Sequence, residues 1–489
     1  ISQKYRHHFD GHYHQRSSGM TVVSWVRFRT IVMGGLLLGS MSTLHAEGVD
    51  TFLKEVKNTH PLVQYYSLAQ KAAEQKQVQA ELMAETHVFG DTSVLSETKP
   101  GNFSSFLGEK TFTYGGQIGF SGLWNSGTQW RTGLQLSATS MPEANTSLVS
   151  ETEYGEGRLF AEITHPLWRD AWDTELIRVQ QEIILASNSE ASGMAFGVTQ
   201  TLVEAEKAYW HYLIMVQLRQ VAEDAVSRAK ESLTWTENRR ANALGQDNDV
   251  AQAKATLALR ELEYEQAKSD LVQSQRNLRY WLATPVSGTL PDDEKLLAKQ
   301  TPSKTDKRED LISQMAKAEL ARLSVEDATE AGKPSLSMKG QVALNQRESS
   351  LGNVLLSSAS TSYPSIGLSF VLDMPMDAKA HQRYVEAQET RWKSEEAKTK
   401  ALIQDISTNW DTTKTTIATA KIRLIKAKNL EKAQYTKWRL ESERHKKGRT
   451  TLSQVLNFEQ DYANAKTTVL RTKLDLITAF AQAKLFGEN

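Results

Sequence analysis

The 489 residues carry 58 basic and 58 acidic side chains and no cysteine. Balanced charge favours neither nucleic acid nor an anionic membrane surface, and zero cysteine excludes disulfides, thiolate metal sites, cysteine nucleophiles and a lipid anchor on an N-terminal cysteine. Mean hydropathy is −0.48, and past the N-terminal region no apolar run reaches the roughly 18 residues a membrane helix needs, so a membrane-spanning chain would have to use strands.

Arg27 and Arg29 precede a short apolar stretch, 31–39, which is followed by Ser42-Thr43-Leu44-His45-Ala46. A basic segment, an apolar segment and a small residue predict an export signal over 20–46, starting at Met20 and cut after Ala46. A buried core helix is the competing reading. Residues 1–19 are then an upstream extension. Its His7, His8, His12 and His14 read as a polar tail rather than a metal site.

Residues 49–84 have loose helical spacing, punctuated at His60-Pro61, where proline suits a helix start. From 87 to 168 glycine, serine and threonine rise and period two replaces the helical period. Trp130, Thr132, Leu134, Leu136 and Ala138 share one strand face, opposite Arg131, Gly133, Gln135 and Ser137. Leu159, Ala161 and Ile163 mark a second strand, ended by His165-Pro166, and 141–154 reads as a loop. Residues 115–127 predict at most a short, irregular strand pair. Helix returns over about 172–240, with a junction expected at Gly193 and Gly197. Leu244-Gly245 breaks it, and 249–282 repeats Val250, Leu257, Tyr264, Leu271 and Leu278. Seven-residue spacing is the signature of coiled-coil packing.

Pro285, Pro291 and Pro302 mark a linker, 285–307. Helix follows over 310–331, then a strand with Leu336, Met338, Val342 and Leu344 to one side. Residues 347–362 read as a serine-rich loop. Ile366, Leu368, Phe370 and Leu372 predict another strand, stopped at Met374-Pro375. From 378 to 445 there is neither proline nor glycine. A helix of that length spans about 100 Å at 1.5 Å per residue, too long for a compact domain. Gly448 breaks it, and Leu456, Ala463, Leu470 and Ile477 pattern a last helix.

The plan of helix, strand, loop, strand, long helix, glycine and long helix occurs twice, over 47–284 and 308–489. Internal duplication fixes architecture before any other assignment. The expected class is α+β: a few strands of about ten residues with one apolar and one polar face, joined to long coiled-coil hairpins. Such strands suit a membrane barrel with a wet lumen or the half-exposed sheet of a soluble domain. About four main strands per chain are too few for a barrel, so a barrel would need several chains.

Ordered segments along the chain resemble the TolC-like outer-membrane efflux and secretion channels. Glu162-Ile163-Thr164-His165-Pro166-Leu167-Trp168-Arg169 is similar to that family's strand-ending QPLLR pattern, and Arg308-Glu309-Asp310-Leu311 to its RPDL helix start. Lys333-Pro334-Ser335-Leu336 then enters a strand. The stretch Arg444-His445-Lys446-Lys447-Gly448-Arg449-Thr450-Thr451-Leu452-Ser453-Gln454-Val455-Leu456 resembles R-x-x-x-G-x-x-x-x-x-D-V-L. The resemblance implies a homotrimer in the bacterial outer membrane, with about four strands per protomer in one barrel of about twelve and a periplasmic helical tube. It implies a passive conduit without a cofactor, met by a periplasmic adaptor and an inner-membrane pump.

The same resemblance implies adaptor-docking tips at Leu244, Gly245, Gln246, Lys447, Gly448 and Arg449. It implies a pore constriction from Asn248, Asp249, His445, Thr450, Gln454 and Asn457. His445 stands at a tyrosine position and Thr450 at an arginine one, while Gln454 and Asn457 stand where some members carry carboxylates. Amides in place of an acidic ring predict a channel less selective for cations. No H-E-x-x-H, G-x-S-x-G or P-loop motif supports an enzyme, and His211 reads as a packed or surface residue. The rival reading is a periplasmic adaptor or coiled-coil scaffold.

Overall fold

The computed structural model describes residues 47–98, 104–124, 126–169, 171, 174–283, 286, 288–305, 307–357 and 363–487. The expected extension and export signal, 1–46, lie outside them. Three short helices lead in: α1 (Glu47–Thr59), α2 (Pro61–Gln75), with Pro61 in its first turn, and α3 (Val78–Leu82).

Four strands follow: β1 (His87–Thr98), β2 (Lys110–Leu123), β3 (Gln129–Ser140) and β4 (Glu153–Pro166), with a one-turn helix α4 (Ser104–Leu107) between β1 and β2. The hairpin of α5 (Thr174–Ala241) and α6 (Asp247–Trp281) comes next, then a short α7 (Asp293–Ala298) inside the linker. The second half adds α8 (Glu309–Ala331), β5 (Ser335–Glu348), α9 (Leu351–Ser357), β6 (Tyr363–Asp373), α10 (Ala378–Lys446) and α11 (Leu452–Ala483).

The sheet is antiparallel throughout, in the order β1-β2-β3-β4-β5-β6. Among the described residues the sheet has six strands rather than about four, a correction to the sequence expectation. The irregular pair expected near 115–127 is a full-length hairpin, with β1 pairing β2 from His87↔Ser121 to Thr98↔Lys110. Glycines hid it. Gly115, Gly116, Gly119 and Gly122 interrupt the alternation of β2, yet each sits where another strand approaches closely. A Cβ on Gly119 would lie 2.2 Å from the Thr132 carbonyl oxygen and 2.7 Å from Phe89 Cζ. Phe89 fills that space, with the Arg131 guanidinium 4.0 Å over its ring. A tight turn then joins β2 to β3, where Trp124 N–H donates to the Thr128 carbonyl and Gly127 takes φ +71°, a backbone region glycine enters at no steric cost.

Register assigns every side chain to a face, because opposed residues in an antiparallel ladder point the same way. Val88, Phe120, Thr132, Ala161, Val342 and Ile366 lie in one cross-sheet row on the apolar face. The other face carries Asp91, Gln117, Arg131, Glu162, Lys339 and Ser369. Exposure runs opposite to that of a soluble sheet. Val88 is 68% exposed, Ile118 62% and Ile366 84%, whereas Phe160 and Ala343 on the polar face are 5% and 4% exposed. Only at the loop end does the apolar face gain a cover, where α9 sets Val354 against Gly157.

The helices reach the sheet at one end, α3 before His87 and α8 before Ser335, α5 after Pro166 and α10 after Asp373; the longer loops and α9 lie at the other end. The helices α5, with 68 residues, and α10, with 69, are unbroken, so the junction expected at Gly193 and Gly197 is absent. Gly197 instead faces the Tyr66 ring, 2.8 Å from a built Cβ, and lets α2 lie against α5. Of the heptad tracks, Leu257, Tyr264, Leu271 and Leu470 are half-buried, while Leu278 and Ile477 enter one core with Tyr209, Ile417, Leu424, Leu476, Phe480, Phe52, Val56 and Val63. Each such side chain contributes about 1.5–3 kcal/mol over its exposed state. The linker joins this core through Leu296, and Asp293 binds Lys473 at 2.7 Å and Lys428 at 3.0 Å. Burial raises the Asp293 pKa, but the two lysines outweigh it and hold the carboxyl below its usual range.

Where α5 leaves the sheet it meets α8 through three charged groups. Arg178 pairs with Asp327. Burial, then a hydrogen bond with Asp327, pushes the Glu182 carboxyl up to about 7, and Arg178 only partly opposes this. A raised carboxyl pKa means that the proton is held in the folded state, so its stabilisation is full below the unfolded value near 4.5 and is lost as pH rises through about 7. Thermal unfolding between pH 5 and 8 should show this junction weakening with pH, and Glu182→Gln should flatten the profile.

Candidate functional site at the helical tips

The first tip ends α5 with Ala243 at φ 57° and starts α6 after Gln246. The second ends α10 with Gly448 at φ +71° and starts α11 after Thr451, whose hydroxyl accepts from the Gln454 N–H at 3.4 Å. A threonine N-cap answers one of the first-turn donors that a helix leaves unpaired.

The structure brings three of the expected gate residues together at the second tip. His445 is 8% exposed, and its Nδ1 lies 2.9 Å from the Thr450 carbonyl oxygen. The Thr450 hydroxyl donates to Glu441 Oε1 at 2.5 Å and lies 3.2 Å from Gln454 Oε1. Glu441, 5% exposed, also takes Arg444 at 3.1 Å. Gln454 and Asn457 are exposed, one turn apart on α11. Asn248 is exposed and Asp249 half-buried on the first turn of α6; among the described residues their side chains form no hydrogen bond or ion pair. The docking residues Leu244, Gln246, Lys447, Gly448 and Arg449 are exposed, and Gly245 is half-buried.

Sequence reasoning missed what ties the two hairpins together. The Trp235 ring of α5 lies 4.4 Å from that of His445, and the Arg239 guanidinium lies 4.9 Å from the centre of the Trp235 ring. Ala253 of α6 packs with Leu452 and Leu456 of α11, and Leu233 closes the cluster. Farther from the tip, Glu459 of α11 receives Arg228 of α5 at 2.8 Å and Arg260 of α6 at 2.5 Å. Arg260 is 1% exposed and also binds Glu263 at 2.8 Å. Arg228 lies 5.8 Å from the Trp438 ring centre and 5.7 Å from that of Tyr462, which stack at 5.6 Å. The available signal was a charge on a seam: Arg260 follows Ala253 by seven residues, and Glu459 follows Leu452 by seven.

No sequence-family model and no curated protein sequence matches the chain. Solved structures do match. A CusC structure, described in terms of folding and transmembrane channel formation, aligns over 91% of this chain and 92% of its own with TM-score 0.65 and 12% identity. The Campylobacter jejuni CmeC outer membrane channel aligns over 90% and 86% with TM-score 0.64 and 13% identity. The chain has the TolC-like channel fold. The open-state MtrE outer membrane channel of Neisseria gonorrhoeae is similar too, over 92% of this chain and 94% of its own, at TM-score 0.64 and 12% identity. The fold persists at this low identity because a seam needs only apolar or small residues every seven positions and a barrel strand only alternation.

Proposed function

We propose that the protein is the outer-membrane channel-tunnel of a tripartite efflux or type I secretion system, a passive conduit that works as a homotrimer. The observation that carries this reading is the bare apolar face of the sheet. Water would expose this face in a soluble protein, and exposed patches of this extent mark a lipid or protein contact. A hydrocarbon layer suits it, because strands of 11–14 residues match the roughly 9–11 tilted residues that cross a bilayer, with excess at the rims. Among the described residues no helix is long and apolar enough to cross a membrane.

The helices support assembly of copies. Leu259 and Leu262 on α6 and Ile422, Ile425 and Leu440 on α10 are exposed, along helices whose inner seams are already filled. Neighbouring copies would cover these side chains in a tube wall. The tips would then meet the periplasmic adaptor and the pump, through Leu244, Gly245, Gln246, Lys447, Gly448 and Arg449. Asn248, Asp249, His445, Thr450, Gln454 and Asn457 would line or brace the constriction.

Cell fractionation tests the reading. The chain is expected in the outer membrane as an SDS-resistant oligomer that dissociates on boiling. Recovery in the soluble periplasm, or with the inner membrane as an adaptor would behave, would overturn it.

A further inference from the structure

The trimeric reading leaves open how the copies join, and the pairing of the sheet narrows the choice. We propose that all six strands of each protomer enter the shared wall, with β1 of one copy pairing with β6 of the next, so that three copies close a barrel of eighteen strands rather than twelve. This inference rests on the channel reading above.

Three observations carry it. First, β3 has no free edge. It pairs with β2 from Gln129↔Leu123 to Ser140↔Phe112, and with β4 from Gln129↔Thr164 to Ser140↔Glu153. A twelve-stranded barrel built from β3 to β6 would have to strip β2 from β3 over twelve residues. The unpaired edges are those of β1 and β6, with 12 and 11 residues. Edges of that length, left open, invite pairing with another chain.

Second, the directions fit. An antiparallel sheet with an even number of strands has outer strands running oppositely, so β6 of one copy lies antiparallel to β1 of the next. Lengths match to within one residue, and the helix-side ends, His87 on β1 and Asp373 on β6, lie at the same end of the sheet.

Third, the added hairpin carries the wall's own two-faced pattern. Val88 and Val94 of β1, and Tyr114, Ile118 and Phe120 of β2, continue the apolar face, and each is 47–70% exposed. A hairpin folded away as a soluble flap would bury that face or replace it with polar residues. At a strand spacing of about 4.8 Å and a tilt of about 35–45°, eighteen strands give a backbone radius of about 17–19 Å against about 11–13 Å for twelve. The lumen would be wide enough to pass bulky cargo, and any size limit would then lie at the helical tips.

The absence of native cysteine makes the introduced thiols the only ones present. The test is oxidative cross-linking of the full chain in outer membranes. One grid of double variants sets Val88→Cys, Thr92→Cys or Ser96→Cys on β1 against Ile366→Cys, Leu368→Cys or Phe370→Cys on β6. A second grid sets Thr132→Cys, Leu134→Cys or Leu136→Cys on β3 against the same β6 positions. Within one protomer neither pair of strands is adjacent. The expected result is a reducible ladder ending at a covalent trimer in the β1/β6 grid, with the β3/β6 grid giving none. A covalent trimer from β3/β6 would overturn the strand count while leaving the channel reading intact. An SDS-resistant trimer with neither cross-link would also overturn the β1–β6 pairing. A disulfide confined to the monomer, or a chain that stays monomeric, would overturn the trimer itself.

Discussion

Replacing Glu459 with alanine is expected to destabilise the packing of the two helical hairpins by about 3 kcal/mol, the lower end of the cost of breaking a buried ion pair. The reason lies in what is left behind. Glu459, 5% exposed, is shared by Arg228 and Arg260, from the two helices of the other hairpin. Its removal leaves Arg260 fully buried with only the half-exposed Glu263 as a partner. Arg228 keeps its place beside Trp438 and Tyr462, which offsets part of the loss and sets the estimate at the lower end. Arg260→Lys should also be costly, because one ammonium cannot reproduce a fork that reaches both Glu459 and Glu263. Replacing Arg228, Arg260 and Glu459 together with methionine should recover most of the stability, since no buried charge is then left unpaired. Thermal unfolding followed by the helical circular dichroism signal would read the order: the single Glu459 variant lowest, the triple variant near the native chain. Equal melting of Glu459→Ala and the native protein would mean that the clamp carries no weight.

Placing carboxylates at Gln454 and Asn457 is expected to change ion selectivity more than any other exchange at the tips. The two amides are exposed one turn apart at the start of α11. The neighbouring chain is basic: Arg444, His445 and Lys446 end α10, followed by Lys447 and Arg449. Cationic ends of helices are favoured by the dipole, but they also set the local potential at the tip. In the proposed trimeric channel, three copies of Gln454→Asp with Asn457→Asp would add six carboxylates, and rings of carboxylates favour cations. Single-channel recordings should show the cation-to-anion permeability ratio rising several-fold, with block by divalent cations appearing. If the proposed channel reading holds, the unsubstituted protein should show little preference for cations. Strong native cation selectivity that survives Gln454→Ala and Asn457→Ala would place the selective groups elsewhere.

The helices were legible because their message is repetitive. Seven-residue spacing from Val250 to Leu278, and an unbroken run ended by Gly448, each fix an element from local chemistry alone, and α10 and α11 start where the sequence indicates. The strands β3, β4, β5 and β6 were legible for the same reason, with period two in place of seven. The hairpin of β1 and β2 was not. A glycine carries no hydropathy to alternate, and Gly115, Gly116, Gly119 and Gly122 are there because neighbouring backbone and the Phe89 ring come too close for a side chain. That requirement exists only once the strands are paired.

The tips divide in the same way. Gly448 and the polar residues around it announce a turn in the sequence. That His445 is buried against Trp235, 210 positions away in the chain, depends on how two hairpins lie together. Arg260 and Glu459 look like errors on their own seams, and become partners only when α6 and α11 meet. The sequence by itself determined the long helices and the two-faced strands β3 to β6, which follow from local periodicity. The tertiary structure decided the number of strands, the bare apolar face with its two free edges, and the buried clamp between the hairpins. These depend on which distant segments are neighbours, and a repeat of seven or two states that a face will be covered without stating by what.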